Sequence, residues 1–403
     1  MRVGWEIKRL GEVCEVINGG TPKTGVDEYW DGRHLWITPA EMGKRQSPFV
    51  EDTERKITDF GLRNSSARML PPYSVILSSR APIGHLVINT DPMATNQGCK
   101  GLIPAKNLNY KFLYYYCVSI VDLLNSLGTG ATFKELSGSK LKEVVIPLPP
   151  LPEQQRIVSL LDDAFAAIAT AKTNAEKNLK NARAFFDSYL NSVFTQRGDG
   201  WVENKLVSLT TKIGSGATPR GGGESYKMEG TSLIRSLNVH DSGFRYAKLA
   251  FLDDGQADGL SNVIVQPGDV LLNITGASVA RCCIVPDDVL PARVNQHVSI
   301  IRPIASKLDS DFLHYLLISK YYKDQLLQTG AEGGATRQAI TKAQIQDFTV
   351  GYPEDRGEQQ SIVSKLDALR AETQRLEAIY QKKLVALDAL KKSILHQAFT
   401  GEL

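Results

Sequence analysis

Cysteine is scarce. The five residues, Cys14, Cys99, Cys117, Cys282 and Cys283, are odd in number and form no C-x-x-C pair, which disfavours a disulfide framework or a zinc ribbon. The six histidines never fall into H-x-x-x-H spacing, so metal ligation finds no support. No run approaches the roughly 18 apolar residues that cross a bilayer, and the first residues carry no apolar signal segment, so a cytoplasmic protein without a membrane partner is expected. Nor is there an excess of one charge: 47 basic side chains oppose 44 acidic ones, a net +3 that excludes a general polyanion sponge and leaves room for local basic surfaces. A G-x-x-x-x-G-K-[ST] loop is missing, and Gly214-Ser215-Gly216-Ala217-Thr218-Pro219 fails as a dinucleotide fingerprint at its proline. Leu70-Pro71-Pro72-Tyr73 has the prolines and aromatic of an adenine methyltransferase motif but places leucine where a hydrogen-bonding side chain must hold the amine; it reads as a turn entering a strand. No catalytic residue is expected, and no cofactor or metal is assigned to this chain.

What remains is a folded composition, 42% hydrophobic and 23% charged, on a chain too long for one ordinary core. The chain is also written twice. Trp5-Glu6-Ile7-Lys8-Arg9-Leu10 leading to Ile17-Asn18-Gly19-Gly20-Thr21-Pro22 matches Trp201-Val202-Glu203-Asn204-Lys205-Leu206 leading to Ile213-Gly214-Ser215-Gly216-Ala217-Thr218-Pro219. Leu70–Leu77 matches Val265–Leu272, and Asn96-Gln97 matches Asn295-Gln296. Gly130-Ala131-Thr132 returns as Gly334-Ala335-Thr336, Glu153-Gln154-Gln155 as Glu358-Gln359-Gln360, and Val193-Phe194-Thr195 as Ala398-Phe399-Thr400. A duplicated sequence implies a duplicated structure.

Each half has two unlike parts. Residues 1–150 and 199–352 mix short β-branched runs with Gly, Pro and Asn punctuation and read as strands and turns, with a helix after Asn109. Residues 151–198 and 353–403 are rich in helix formers. Ala175, Leu179, Ala182, Phe186, Tyr189 and Val193 step by four and three, as do Ile362, Leu366, Leu369, Thr373, Leu376 and Tyr380 before Leu387, Leu390 and Ile394. That is the seam of a coiled coil, on helices of about 40 residues and so about 60 Å long. The partner of each seam is either its duplicate in the same chain or a second chain, since a heptad does not name its partner.

Ile146-Pro147-Leu148-Pro149-Pro150-Leu151-Pro152-Glu153-Gln154-Gln155-Arg156-Ile157-Val158 is similar to the junction between domain and spacer helix in the DNA specificity subunits of type I restriction–modification systems. The opening Trp5…Leu10-Gly11-Glu12-Val13, the closing Ala398-Phe399-Thr400-Gly401-Glu402-Leu403 and the repeated plan resemble that family over essentially the whole chain. The second junction departs from the first, with Gly351-Tyr352-Pro353-Glu354 for the proline run and Asp355-Arg356-Gly357 before the glutamines. The resemblance implies an α+β protein in which two mixed α/β target-recognition domains (1–150 and 199–352) are separated by two long antiparallel coiled-coil helices (151–198 and 353–403) in an internal pseudo-twofold repeat. It implies a non-catalytic reader of a bipartite double-stranded DNA target, directing adenine methylation or cleavage by partners. Those would be two modification (methyltransferase) subunits and the restriction (endonuclease/translocase) subunits, with S-adenosylmethionine, ATP and Mg bound there. A coiled-coil scaffold, or a silent specificity subunit without independent DNA reading, is the alternative.

Reading DNA takes cations and hydroxyls for phosphates and forked donors or amides for base edges, on loops that enter a groove. The candidates are Thr21, Lys23, Arg33, Lys44, Arg45, Arg80, Thr129, Thr132 and Lys134 in the first domain, and Thr218, Arg220, Arg235, Asn238, Thr275, Thr336 and Arg337 in the second. Phosphate contact is favoured where Gly-Ala-Thr recurs with a cation beyond it, at Thr132 with Lys134 and at Thr336 with Arg337. Lys44-Arg45-Gln46 and the Asn238 region differ between the halves and are candidates for base discrimination. Asn96-Gln97 and Asn295-Gln296 also recur; their apolar flanks favour buried side chains bonding backbone, with base reading as the alternative.

Overall fold

The computed structural model describes residues 4–130, 134–331 and 339–403. Two compact units emerge, one of Met1–Glu176 with Lys382–Leu403 and one of Lys177–Gln381.

The first unit is built on a five-stranded mixed sheet in the order Cys14–Asn18, Cys99–Pro104, Val75–Ser79, Ile83–Asn89, Phe49–Val50, beside a three-stranded sheet of Arg55–Ile57, Trp30–Ile37 and Met93–Thr95. The short ladder Glu6–Arg9 with Val145–Leu148 closes the domain where its chain enters and leaves. Strand Val75–Ser79 is buried along its whole length, its apolar Val75-Ile76-Leu77 run continuing into two buried serines. The turn before it is held by Asn89, whose Nδ2 donates to the Pro71 carbonyl at 2.8 Å and whose Oδ1 accepts from Ser74 N at 2.9 Å. Leu70-Pro71-Pro72-Tyr73 is thus a turn whose prolyl carbonyl already has its partner.

The second unit repeats the plan. A sheet ordered Thr210–Ser215, Val298–Pro303, Val270–Asn273, Cys282–Ile284 stands beside one of Ala250–Leu252, Thr231–Ile234 and Ala292–Val294, and Trp201–Lys205 pairs with Thr349–Pro353. In both smaller sheets the central strand has one antiparallel and one parallel neighbour, so the sheets are mixed in the same way. Asn109 and Asp309 cap equivalent helices, Tyr110–Ser119 and Ser310–Ile318, each accepting from the two first-turn amides.

Two 45-residue helices, α1 (Leu151–Thr195) and α2 (Arg356–Thr400), complete both units. Within the first unit they run antiparallel: Arg156 donates to the Leu403 carbonyl at 2.8 Å, and Lys172 meets Asp388 at 2.8 Å. Within the second, Arg183 meets Glu377 at 3.1 Å while Leu190 and Phe194 join the same core as Val363 and Leu366. Each helix thus packs on its duplicate in the same chain. Along α1 the covered positions follow the expected seam through Ala175, Leu179, Ala182 and Phe186, then leave it: Tyr189 is exposed and Val193 half-buried, whereas Leu190 and Phe194 are buried. Leu390 on α2 is likewise exposed. A 3.5-residue seam holds only while a helix faces a helix; beyond Phe186 the helix covers a globular core and the buried face follows the 3.6-residue turn.

One glutamine at the start of each long helix joins it to its domain. Gln154 is wholly buried: Oε1 accepts from Asn109 N at 2.8 Å, and Nε2 donates to the Asn107 carbonyl at 2.9 Å and the Pro149 carbonyl at 2.8 Å. Gln359 repeats this with Asp309 N at 2.8 Å, the Lys307 carbonyl at 2.9 Å and the Pro353 carbonyl at 2.8 Å. Tyr115 donates to Asp162 at 2.5 Å and Tyr315 to Asp367 at 2.6 Å, a second repeated tie between domain and helix.

The halves differ at His314, which stands where the first has Tyr114. Burial to 6% exposure lowers its imidazole pKa from 6.5 to about 4; Arg370 adds to the shift, and Asp241 and Asp367 oppose it. Between those pH values the unfolded chain takes up a proton that the folded one refuses, so stability falls as pH falls. The loss from this group is about 2 kcal/mol at pH 5 and about 3 kcal/mol once pH reaches 4. His314→Phe should lessen the difference between urea midpoints measured at pH 7.5 and 5; an unchanged difference would assign the acid sensitivity to other groups.

Candidate nucleic-acid interface

The sheets bring loops distant in sequence to one edge, in the same way in each unit. In the first, the loop after Cys14–Asn18 is pinned by Gly19 N on the Cys99 carbonyl at 3.1 Å, Gly20 N on the Thr95 carbonyl at 2.8 Å and the Trp36 indole on the Gly20 carbonyl at 2.9 Å. A Cβ on Gly19 would overlap the Asn96 carbonyl oxygen, so only glycine allows that approach. The loop thereby presents Thr21, whose hydroxyl donates to Gln97 Oε1 and accepts from Asn96 Nδ2 at 2.9 Å. In the second unit Gly216 N bonds the Asn295 carbonyl at 3.2 Å, a Cβ on Gly216 would overlap the Val294 carbonyl oxygen, and the Thr218 hydroxyl donates to Gln296 Oε1.

The Asn-Gln pairs divide their labour. Asn96 Oδ1 accepts from Gly98 N at 2.8 Å and Asn295 Oδ1 from His297 N at 3.0 Å, the backbone role expected of them. Gln97 and Gln296 are exposed beside the threonines, contrary to the expectation that they are buried. Their exposure favours the base-reading alternative that the recurrence of Asn-Gln had raised, and makes them interface candidates.

A second loop closes on the same edge. Leu136 N bonds the Ser79 carbonyl at 2.9 Å, and Thr129 and Glu135 exchange backbone bonds at 3.0 and 2.9 Å. Arg80, half-exposed, thus lies beside Glu135 (3.8 Å), with Lys100 behind it, 3.9 Å from the same carboxylate. Burial lowers the Lys100 pKa, and Glu135 partly restores it. Lys134 is exposed and makes no ion pair among the described residues. In the second unit Ile340 N bonds the Ile274 carbonyl at 2.8 Å, and the Thr275 hydroxyl meets His297 Nδ1 at 2.6 Å. Thr21, Arg80, Thr129 and Lys134 therefore gather with Gln97, and Thr218 and Thr275 with Gln296 and His297. Thr132, Thr336 and Arg337 lie outside the described residues.

The other candidates stand apart or are engaged. Lys23 is exposed, its carbonyl accepting from the Trp30 indole at 3.2 Å; Arg220, also exposed, precedes Gly221, whose φ is +91°. Among the described residues neither makes an ion pair. Arg33 lies on strand Trp30–Ile37 and pairs with Asp59 at 3.1 Å; the Asp59 carboxyl is held below the usual carboxylate range by His34 first and Arg33 second. Lys44 meets Glu54 at 3.3 Å. Arg45 is tied to its own fold: Nη2 donates to buried Glu41 at 2.6 Å and to the Asp52 carbonyl, which removes that prong from a forked base contact. Arg235 lies over the Tyr226 ring at 5.1 Å and donates to the Lys248 carbonyl. Asn238 is corrected: it is wholly buried, its Nδ2 on the Arg245 carbonyl at 2.8 Å and its Oδ1 on Arg235 N at 3.1 Å, so it cannot enter a groove.

The family described as the type I restriction modification DNA specificity domain matches residues 2–180 and 226–384. The type I restriction enzyme MjaIX specificity subunit of Methanocaldococcus jannaschii is 32% identical over 250 residues, 62% of this chain; the match spans 57% of that protein's length. A chain from a structure of complex assembly and conformational transition in the type I R-M system superposes with a TM-score of 0.78 at 21% identity, covering 100% of this chain and 99% of that one. The HsdS subunit of Thermoanaerobacter tengcongensis superposes at 0.68 with 22% identity, over 100% of this chain and 98% of that one. The same fold and a family match along most of its length agree with the duplicated loop frame: the chain belongs to the type I restriction–modification DNA specificity family.

Proposed function

We propose that this chain is the sequence-reading subunit of a type I restriction–modification enzyme and that each unit reads one half of a bipartite DNA target. The observation that carries the reading is one loop frame built twice with different side chains at its edge. A split, asymmetric target calls for such a pair. Thr21, Lys23, Thr129, Thr132, Lys134, Thr218, Arg220, Thr336 and Arg337 are assigned to phosphates, Arg80, Gln97, Thr275 and Gln296 to the base edges, and Arg33, Lys44 and Arg235 to flanking contacts. Residues 1–150 and 199–352 are the recognition domains. The helical segments 151–198 and 353–403 set the half-site separation and dock two modification subunits.

No catalytic group is assigned to this chain. S-adenosylmethionine is assigned to the modification subunits, and ATP and Mg to the restriction subunits, in a cytoplasmic complex. Among the described residues no helix is long and apolar enough to cross a membrane. The test is long-read mapping of adenine methylation in cells expressing this chain with its modification subunit. A split motif that depends on this chain is expected; assembly of the complex without a motif would overturn the reading in favour of a scaffold or silent subunit.

A further inference from the structure

The two interface edges can be superimposed residue by residue through their strand registers. Ser78 faces Cys99 and Leu77 faces Lys100 in the first unit, as Asn273 faces Val298 and Leu272 faces Ser299 in the second. Arg80 therefore corresponds to Thr275, Gly98 to His297, Lys100 to Ser299, and Glu135, which bridges to Arg80, to Ala339, which bridges to Thr275. Four side chains change together on an unchanged backbone frame. At Gly98 an added Cβ would stand 3.1 Å from Arg80 Nε and 3.2 Å from its Cγ, so the arginine side chain lies across the space glycine leaves open. In the second unit an imidazole stands at that position, with the Thr275 hydroxyl 2.6 Å from its Nδ1 and no hydrogen bond to Nε2 among the described residues.

We propose that the pairs Arg80–Gly98 and Thr275–His297 are the selectors that make the two units read different bases, the first presenting a two-pronged guanidinium to guanine and the second a single imidazole nitrogen. This rests on the reading that each unit docks on DNA. A guanidinium offers two parallel N–H groups that match guanine O6 and N7, whereas one imidazole nitrogen makes one bond and discriminates less. Glu135 and Lys100 belong to the first selector: the carboxylate restrains Arg80, and the lysine offsets its charge. In the second selector threonine takes the place of the arginine, and Ala339 and Ser299 stand at the positions of Glu135 and Lys100.

The test uses the assembled complex and competition binding to its own target with each base pair replaced in turn. Arg80→Ala should lose about ten- to hundredfold discrimination for guanine at one position of one half-site. The other half-site should keep its wild-type profile, which shows that the variant is folded. Arg80→Lys, which keeps the charge without the fork, should lose discrimination at the same position. His297→Ala should lose less than about tenfold, at one position of the other half. Thr275→Arg combined with His297→Gly should create a guanine preference there. Unchanged profiles, or a uniform loss of affinity whatever the base, would overturn the proposal, the latter making Arg80 a phosphate contact. A wild-type complex with no sequence preference would instead overturn the parent reading.

Discussion

Gln154→Ala is expected to destabilise the first unit by about 3 kcal/mol, and Gln359→Ala the second by the same amount. Each glutamine satisfies three backbone groups, one amide and two carbonyls, at the point where the domain becomes a long helix. Orphaning a buried polar group costs about 1–3 kcal/mol, and the groups nearer the surface recover part of that from water. Gln154→Glu should be at least as damaging, because it keeps the acceptor for Asn109 N but turns a carboxylate oxygen towards two carbonyls. Urea denaturation of the wild-type and variant chains measures the effect. A loss below about 1 kcal/mol would mean that the tie is replaceable and that the helix is held by its apolar seam alone.

Gly19→Ala and Gly216→Ala are expected to abolish recognition of one half-site each, lowering affinity for the full target by more than about a hundredfold, the scale of losing two or more specific base contacts. An added methyl at either position overlaps a backbone carbonyl oxygen, and no side chain can swing away to admit it. The loop must move, taking Thr21 from Gln97 or Thr218 from Gln296. Gly255→Ala is the control, since its Cβ would meet only the Asp253 carboxylate at an ordinary 3.7 Å. Binding to half-site-substituted duplexes separates the outcomes. Loss confined to one half supports a local frame, whereas wild-type binding by Gly19→Ala would remove the Thr21 loop from the interface.

The mixed α/β class and the two long helices were legible because landmarks in the sequence are structural. Trp5 immediately precedes one closing ladder and Trp201 begins the other, Gly19 and Gly216 mark backbone contact, and Gln154 and Gln359 tie helix to domain. The seam was legible through Phe186 and misplaced after it, because heptad spacing presumes a helical partner and Phe194 instead enters a globular core. The interface was less legible. Thr21, Arg80, Thr129 and Lys134 come from loops up to about a hundred residues apart that only sheet order brings together. Arg45 and Asn238 have the chemistry of base readers, yet Glu41 and the Arg245 carbonyl already engage them. Whether a polar side chain is free depends on its neighbours in space, which residue type and spacing do not report. Gln97 departs from expectation for the opposite reason: the apolar residues near it in sequence favour burial, while its own side chain stands at the surface.

The most direct test of the account is an exchange of recognition domains, read out by methylation mapping. Residues 199–352 would be replaced by the corresponding domain of another specificity subunit, and the chimaera expressed with its modification subunit. The account predicts a split motif in which one half is new and the other, with the spacing between them, is unchanged. A motif altered in both halves, or one identical to the original, would contradict the claim that each unit reads its own half.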